Sequence, residues 1–255
     1  MKPDIPSALI DLLREARHVV VFTGAGVSAE SGIATFRDAQ TGLWRHFDAS
    51  ALASAEGFAN DMALVWGWYE WRRAQVRKAQ PNPAHRALAA MAGSVAQLTL
   101  ITQNVDDLHE RAGSKEVIHL HGEINRARCF HCGAPHAFST DIPDEPEGGR
   151  RIDPPACLRC GGPIRPGVVW FGEALPSEAF RHAEAMAAQG DVFLSIGTSA
   201  LVYPAASLPE IAAAHGRTVV QVNPDSTGLD GLASYSLRGA AGDILPRLVA
   251  QLAAP

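Results

Sequence analysis

The chain has 255 residues, 47% hydrophobic and 19% charged, enough to bury one large core and a smaller inserted unit. Lysine and arginine number 22 against 27 acids, and no basic run of five or more occurs, so nucleic-acid binding has no electrostatic support. The N-terminal "MKPDIPSALIDLLREARHVVVF" has no charged start before an apolar run, and no apolar stretch nears the roughly 20 residues that cross a bilayer; a cytoplasmic protein without a membrane partner is expected.

Residues 6–17 predict an amphipathic helix leading into a short buried strand, "HVVVFT" (18–23). "TGAGVSAESG" (23–32) follows directly and opens a helix. Gly24, Gly26 and Ala29 fit G-x-G-x-x-G/A, a spacing that lets backbone N–H groups approach a pyrophosphate. A dehydrogenase of this kind wants an acid about 20 residues further on, at the end of a second strand. Here that region reads "ATFRDAQTGLWRHFD", with no apolar run before its acids, which argues against hydride transfer.

Residues 49–80 read as helix without a strand. Within "WYEWRR" (68–73), Tyr69 and Arg72 stand three apart and share a helix face. Trp66, Trp68, Tyr69 and Trp71 make a broad apolar face, with Arg72 able to reach its charge to solvent. Further apolar runs lie at 95–102, 116–121, 167–171, 191–198 and 217–223, separated mostly by Ala-rich helical stretches at 84–92, 177–189 and 204–215, with a closing helix at 243–253. Continuous apolar strands alternating with helices predict a doubly wound parallel Rossmann-like sheet. The expected division is 1–48, 81–121 and 167–255 for that sheet, 49–80 for a helical insertion and 122–166 for a small zinc-binding module.

All four cysteines fall in that last insertion, as Cys129-x-x-Cys132 and Cys157-x-x-Cys160, with 24 residues between the pairs. Two such pairs make a tetrahedral zinc site of four thiolates, which leave no open coordination position, so the metal is expected to be structural. A redox dithiol would need one such pair at a helix start, not two. His131 and His136 are read as bystanders, and "DIPDEPEGGRRIDPP" as a solvated loop.

Polar groups follow several strands, where ligands bind in open parallel sheets. "TQNVDD" supplies Gln103, Asn104 and Asp106; "GTSALVYP" supplies Gly197, Thr198 and Ser199; "VNPD" adds Asn223. In "HLHGE", His119 and His121 alternate onto one face of a strand. His121, at the strand end before a glycine, is better placed for acid–base work, and His119 reads as structural. His85 and His109 lie in helical contexts and are expected to do no chemistry.

"GAGVSAESGIATFRD", "TQNVDDLHERAG", "HLHG", the two C-x-x-C pairs, "VVWFGE", "GTSALVYPAA" and "VN" resemble, in this order, the sirtuins, NAD-dependent protein-lysine deacylases. The resemblance spans about residues 15 to 250. Two departures stand out: Ala34 where a proline is usual, and a loop at "RDAQTGLW" one residue longer than in related members. By resemblance, Gly24, Ala25 and Gly26 hold the pyrophosphate of NAD, a co-substrate, while Thr35, Phe36 and Arg37 close over its nicotinamide ribose. Gln103, Asn104 and Asp106 fix nicotinamide and ribose, and Gly197, Thr198, Ser199, Asn223 and Ala241 line the adenosine half. Val169, Trp170, Phe171 and Gly172 add the acyl-lysine peptide as a strand. His121 is the implied general base, and the implied products are lysine, nicotinamide and O-acyl-ADP-ribose. Tyr69 and Arg72 match the Tyr-x-x-Arg of the subgroup that removes succinyl and malonyl groups, and Ala49 matches its small residue, which leaves room for a longer acyl chain.

The implied partners are acyl-lysine proteins, and a monomer is expected. The rivals are a dehydrogenase with structural zinc, a non-enzymatic NAD- or peptide-binding module, and a deacetylase with mono-ADP-ribosyl transfer as a side activity.

Overall fold

The computed structural model describes residues 4–33, 48, 52–138, 145–146 and 149–254. Valine-rich β1 (Val19–Thr23) is buried along its whole length, as is β7 (Val192–Ile196). They are the middle strands of a six-stranded sheet ordered β3 (Ile118–His119), β2 (Leu98–Thr102), β1, β7, β8 (Thr218–Asn223), β9 (Tyr235–Arg238). Every pairing in it is parallel. Burial on both faces is why these strands read as unbroken apolar runs.

Helices cover the two faces. One core gathers α1 (Ser7–Glu15), α5 (Pro83–Met91) and α9 (Ala241–Leu252) against Val19, Val21, Leu194 and Val220; the other gathers α7 (Ser177–Gln189) and α8 (Leu208–Ala214) against Val20, Phe22 and Phe193. Asn82 starts α5: its side chain accepts from Ala84 and His85 N–H, with Pro83 at the first helical position. The same Asn82 amide donates to the Val27 carbonyl (2.7 Å), which ties α5 to the short α2 (Gly26–Ala29) of the glycine loop.

The order of strands reverses between β1 and β7, so the loops after them open a crevice at their carboxyl ends. This is the doubly wound fold expected from the sequence. A second, antiparallel sheet holds β5 (Pro135–His136), β4 (Gly122–Cys129) and β6 (Ile164–Val168). Its core is shared with α3 (Ala55–Asn60) and α4 (Met62–Lys78) through Phe58, Trp66, Trp68, Tyr69, Ile164 and Trp170.

Four local differences from the sequence expectations appear. The run 167–171 is no strand of the large sheet: Gly167 and Val168 end β6, which pairs with β4 in the small one. An apolar run says that a segment is buried, not in which sheet. Strand β3 stops at His119, and the chain bends before Gly122 (φ +72°), so His119 and His121 do not share a strand face. Edge strand β9 is short and polar enough to carry no sequence signal. Finally, the charged stretch 149–152 is not simply solvated. The Ile152 N–H donates to the Ala63 carbonyl (3.0 Å), and the Arg150 carbonyl lies where a Cβ on Gly67 would stand (2.0 Å). Gly67 costs α4 about 0.5–1 kcal/mol of helix propensity but admits this contact.

Candidate active site and metal centre

At the strand reversal two loops touch through glycines. Gly24 N–H donates to the Ile196 carbonyl (3.0 Å) and Gly26 N–H to that of Gly197 (2.9 Å). A Cβ on Gly24 or Gly26 would come within 2.8 Å of the Gly197 oxygen, and Gly197 itself sits at φ +61°. These glycines are therefore required first by loop-on-loop packing. Their N–H groups are engaged inside the protein, and Ala25 is the residue of the three that faces out.

Beside them lies a buried polar network. Ser28 Oγ donates to Asp106 (2.9 Å) and accepts from the Asn104 amide (3.0 Å), while the N–H of Leu108, first residue of the short α6 (Leu108–Arg111), caps the other Asp106 oxygen (3.1 Å). Burial pushes the Asp106 carboxyl up, and the Ser28 and Leu108 hydrogen bonds oppose it. Gln103 spans the crevice: its side chain donates to Thr198 Oγ1 (2.9 Å), and its backbone N–H to the Thr23 carbonyl (2.9 Å). Asn223 donates to the Thr198 carbonyl (2.9 Å). The sequence-predicted residues Gln103, Asn104, Asp106, Thr198 and Asn223 thus converge. Ser28 carries no such expectation from the sequence, although it sits inside the glycine motif.

The two histidines of "HLHG" are chemically distinct. His121 Nδ1 lies 3.0 Å from the Gln103 carbonyl, which can only accept, so Nδ1 carries the proton and Nε2 keeps a lone pair. Burial lowers its pKa below 6.5, the Gln103 carbonyl partly opposing. His119 has oxygen on both sides, the Asn104 carbonyl (3.2 Å) and the Glu110 carboxylate (2.7 Å). Burial pulls its pKa down, but the hydrogen bond and charge of Glu110 prevail and raise it. With an acceptor at each ring nitrogen, His119 has no free lone pair to offer as a base, and its surroundings favour the doubly protonated ring. His85 and His109 are held neutral by burial, at pKa about 4 and about 3, and His109 bonds Thr23 Oγ1 (3.0 Å).

The helical insertion brings Tyr69 and Arg72 toward this crevice. Tyr69 is buried, and its hydroxyl accepts from the Trp170 indole N–H (3.0 Å). Half-buried Arg72 lies 5.1 Å from the Trp68 ring centroid. Burial lowers its pKa, against the attraction of Tyr69 and of the crevice carboxylate Asp106. The next residue, Arg73, serves the fold: it is buried, paired with Glu70 and stacked 3.6 Å over Phe138. In "VVWFGE", Val169 N–H donates to the His121 carbonyl (2.8 Å), Trp170 N–H to Glu173 (2.9 Å) and Phe171 N–H to the Ala53 carbonyl (2.8 Å). Those three donors are already used, so the edge offered to a peptide is shorter than the sequence suggests. Thr35, Phe36, Arg37 and Ala49 lie outside the described residues, as does Ala34 with its loop.

The four cysteine sulfurs lie within 4.8 Å of one another, with Cys129 and Cys160 3.4 Å apart and Cys132 and Cys157 3.8 Å apart. Four sulfurs at about 2.3 Å from zinc stand roughly 3.8 Å apart, so the set fits that ion and is too open for disulfides. Cys132 N–H donates to the Cys129 sulfur and Arg159 N–H to that of Cys157, both at 3.4 Å. Buried Cys129 and Cys157 belong to the same core as Tyr69 and Trp170. We expect metal analysis of the purified protein to find one zinc per chain, and Cys129→Ala to lower the melting temperature sharply, because zinc-binding energy is folding energy in such modules. Active protein free of zinc would contradict this.

The fold and site together define a dinucleotide-fold protein with an inserted tetrathiolate module. The chain belongs to the Sir2 family, whose profile it matches over residues 24–204. It is 64% identical over 244 residues to the NAD-dependent protein deacylase of Methylococcus capsulatus, with 96% of each chain covered. It is 57% identical over 244 residues to NAD-dependent protein deacylase 1 of Pseudomonas aeruginosa, covering 95% of this chain and 97% of that one. Among solved structures it resembles a Sir2 homolog–NAD complex at a TM-score of 0.90 and 44% identity, covering 98% and 95% of the two chains.

Proposed function

We propose that this protein uses NAD to remove acyl groups from lysine side chains of proteins, preferring groups that end in a carboxylate (succinyl, malonyl) over acetyl. The observation that carries the reading is His121: its Nδ1 proton is committed to the carbonyl of Gln103, the residue that starts the Gln103, Asn104, Asp106 cluster, and this leaves the lone pair on Nε2. A neutral imidazole held in one tautomer is what a general base requires. The names of the relatives and the NAD complex of the structural neighbour support it.

NAD, as co-substrate, supplies an electrophilic ribose with nicotinamide as leaving group, and the acyl group ends on ADP-ribose. The chain's residues then have separate tasks. Gln103, Asn104 and Asp106, the last two braced by Ser28, fix nicotinamide and its ribose, with Thr35, Phe36 and Arg37 closing over them. Gly24, Ala25 and Gly26 accommodate the pyrophosphate, and Gly197, Thr198, Ser199, Asn223 and Ala241 the adenosine half. His121 takes the proton from a ribose hydroxyl. The peptide seats at the Val169–Gly172 segment, toward Phe171, which is 47% exposed. Arg72 and Tyr69 meet the acyl carboxylate, with Ala49 leaving room for the chain. The zinc holds the module and takes part in no step.

Mass spectrometry of acetyl-, succinyl- and malonyl-lysine peptides, incubated with the protein with and without NAD, tests this. Loss of the acyl mass only with NAD, fastest for the dicarboxylic groups, is the expected result. NADH absorbance without peptide deacylation would favour a dehydrogenase.

A further inference from the structure

We infer that Trp170 is a positioning residue for acyl selection: its indole N–H occupies a lone pair of the Tyr69 hydroxyl and so aims the phenolic proton at the substrate's terminal carboxylate. The inference rests on the dicarboxylic preference proposed above. An indole nitrogen only donates, whereas a phenol has one proton to give and lone pairs to accept with. The 3.0 Å bond between Trp170 Nε1 and Tyr69 Oη therefore has one possible direction. Tyr69's own proton must point elsewhere, and among the described residues this accepted bond is the only one its hydroxyl makes. Tyr69 stays protonated, since burial raises its pKa.

Trp170 is itself immobilised, as a residue that sets a direction must be. It is 2% exposed, and the Arg165 guanidinium lies 3.4 Å over its ring. Arg165 is held in turn by both Glu173 oxygens and by the Val168 carbonyl (2.9 Å), and Glu173 also accepts from the Trp170 backbone N–H. Phe58 (5.3 Å between centroids) and Phe130 (6.2 Å) fill the remaining sides. The plainer account is that Tyr69 merely satisfies a buried indole. That account predicts a loss of stability without a change in acyl preference.

The test is kcat/KM on succinyl- and acetyl-lysine peptides for wild type, W170F, Y69F and the double variant, with a second Trp170 replacement, a benzothienylalanine of equal size with sulfur in place of N–H. We expect the succinyl-to-acetyl ratio to fall about 3- to 10-fold in W170F and in the isostere, the effect of losing one well-aimed hydrogen bond. In the Y69F background W170F should change the ratio no further. An unchanged ratio in W170F and in the isostere, or an equal drop with and without the Tyr69 hydroxyl, would overturn the inference while leaving the dicarboxylic preference intact. Should W170F fail to fold, the isostere alone decides. A wild type that does not favour succinyl over acetyl would remove the preference itself, and the inference with it.

Discussion

His121→Ala should lower kcat about 10²–10⁴-fold, the usual contribution of a positioned general base, while NAD affinity stays close to wild type. The reason is geometric. His121 meets Gln103 at its backbone carbonyl, whereas the predicted cofactor contacts belong to the side chains of Gln103, Asn104 and Asp106 and to the glycine loops. The pH profile carries an independent signature. A base acts in its neutral form, and burial lowers the His121 pKa below 6.5, so activity should hold down to that pH and fall only below it. Single-turnover rates measured with NAD binding by calorimetry would check both points. If His121→Ala kept most of the wild-type turnover, the base would have to be sought elsewhere. His119 would be a poor substitute, because both its nitrogens face oxygen acceptors.

Arg72→Met should cost about 2–5 kcal/mol of transition-state binding for succinyl-lysine peptides, the range for losing one partner of a buried charge pair. A guanidinium forks onto a carboxylate with two parallel hydrogen bonds, and the Tyr69 phenol can add a third. Acetyl-lysine offers no carboxylate, so its turnover should hold or rise. Arg73→Met is the natural control. It strands the buried Glu70 carboxylate and should cost about 3–5 kcal/mol of folding stability without altering the acyl preference. Equal losses on both peptides in Arg72→Met would assign Arg72 to the helix and not to the acyl group.

Much of this is legible in the chain. Strand β1, the glycine loop after it and the polar clusters after β2 and β7 can be placed because parallel strands buried on both faces announce themselves as apolar runs, and ligand groups follow their carboxyl ends. Helix α7 falls on its predicted bounds, Ser177–Gln189. Other features are not legible. The run ending at Phe171 reads as a strand of the large sheet because hydrophobicity does not encode partners. Ser28 reads as an ordinary helix residue because its role depends on Asp106, 78 positions away. Arg72 and Arg73 are adjacent in sequence and differ only in what the fold sets against them: Tyr69 and Asp106 for one, Glu70 and Phe138 for the other.

Features that depend on local spacing are readable along the chain: alternating strands and helices, a glycine turn after a strand, four thiols in two close pairs, and a phenol and a guanidinium on one helical face. Features that depend on distant partners emerge with the fold. The Gln103 carbonyl selects the His121 tautomer, and Glu110 with the Asn104 carbonyl favours the protonated form of His119. Gly67 gives up a side chain to the Arg150 carbonyl, and Trp170 fixes the direction of the Tyr69 hydroxyl from 101 residues away. Protonation state, tautomer and hydrogen-bond direction are set by the atoms within about 3 Å of a group, and folding, not chain order, chooses those atoms.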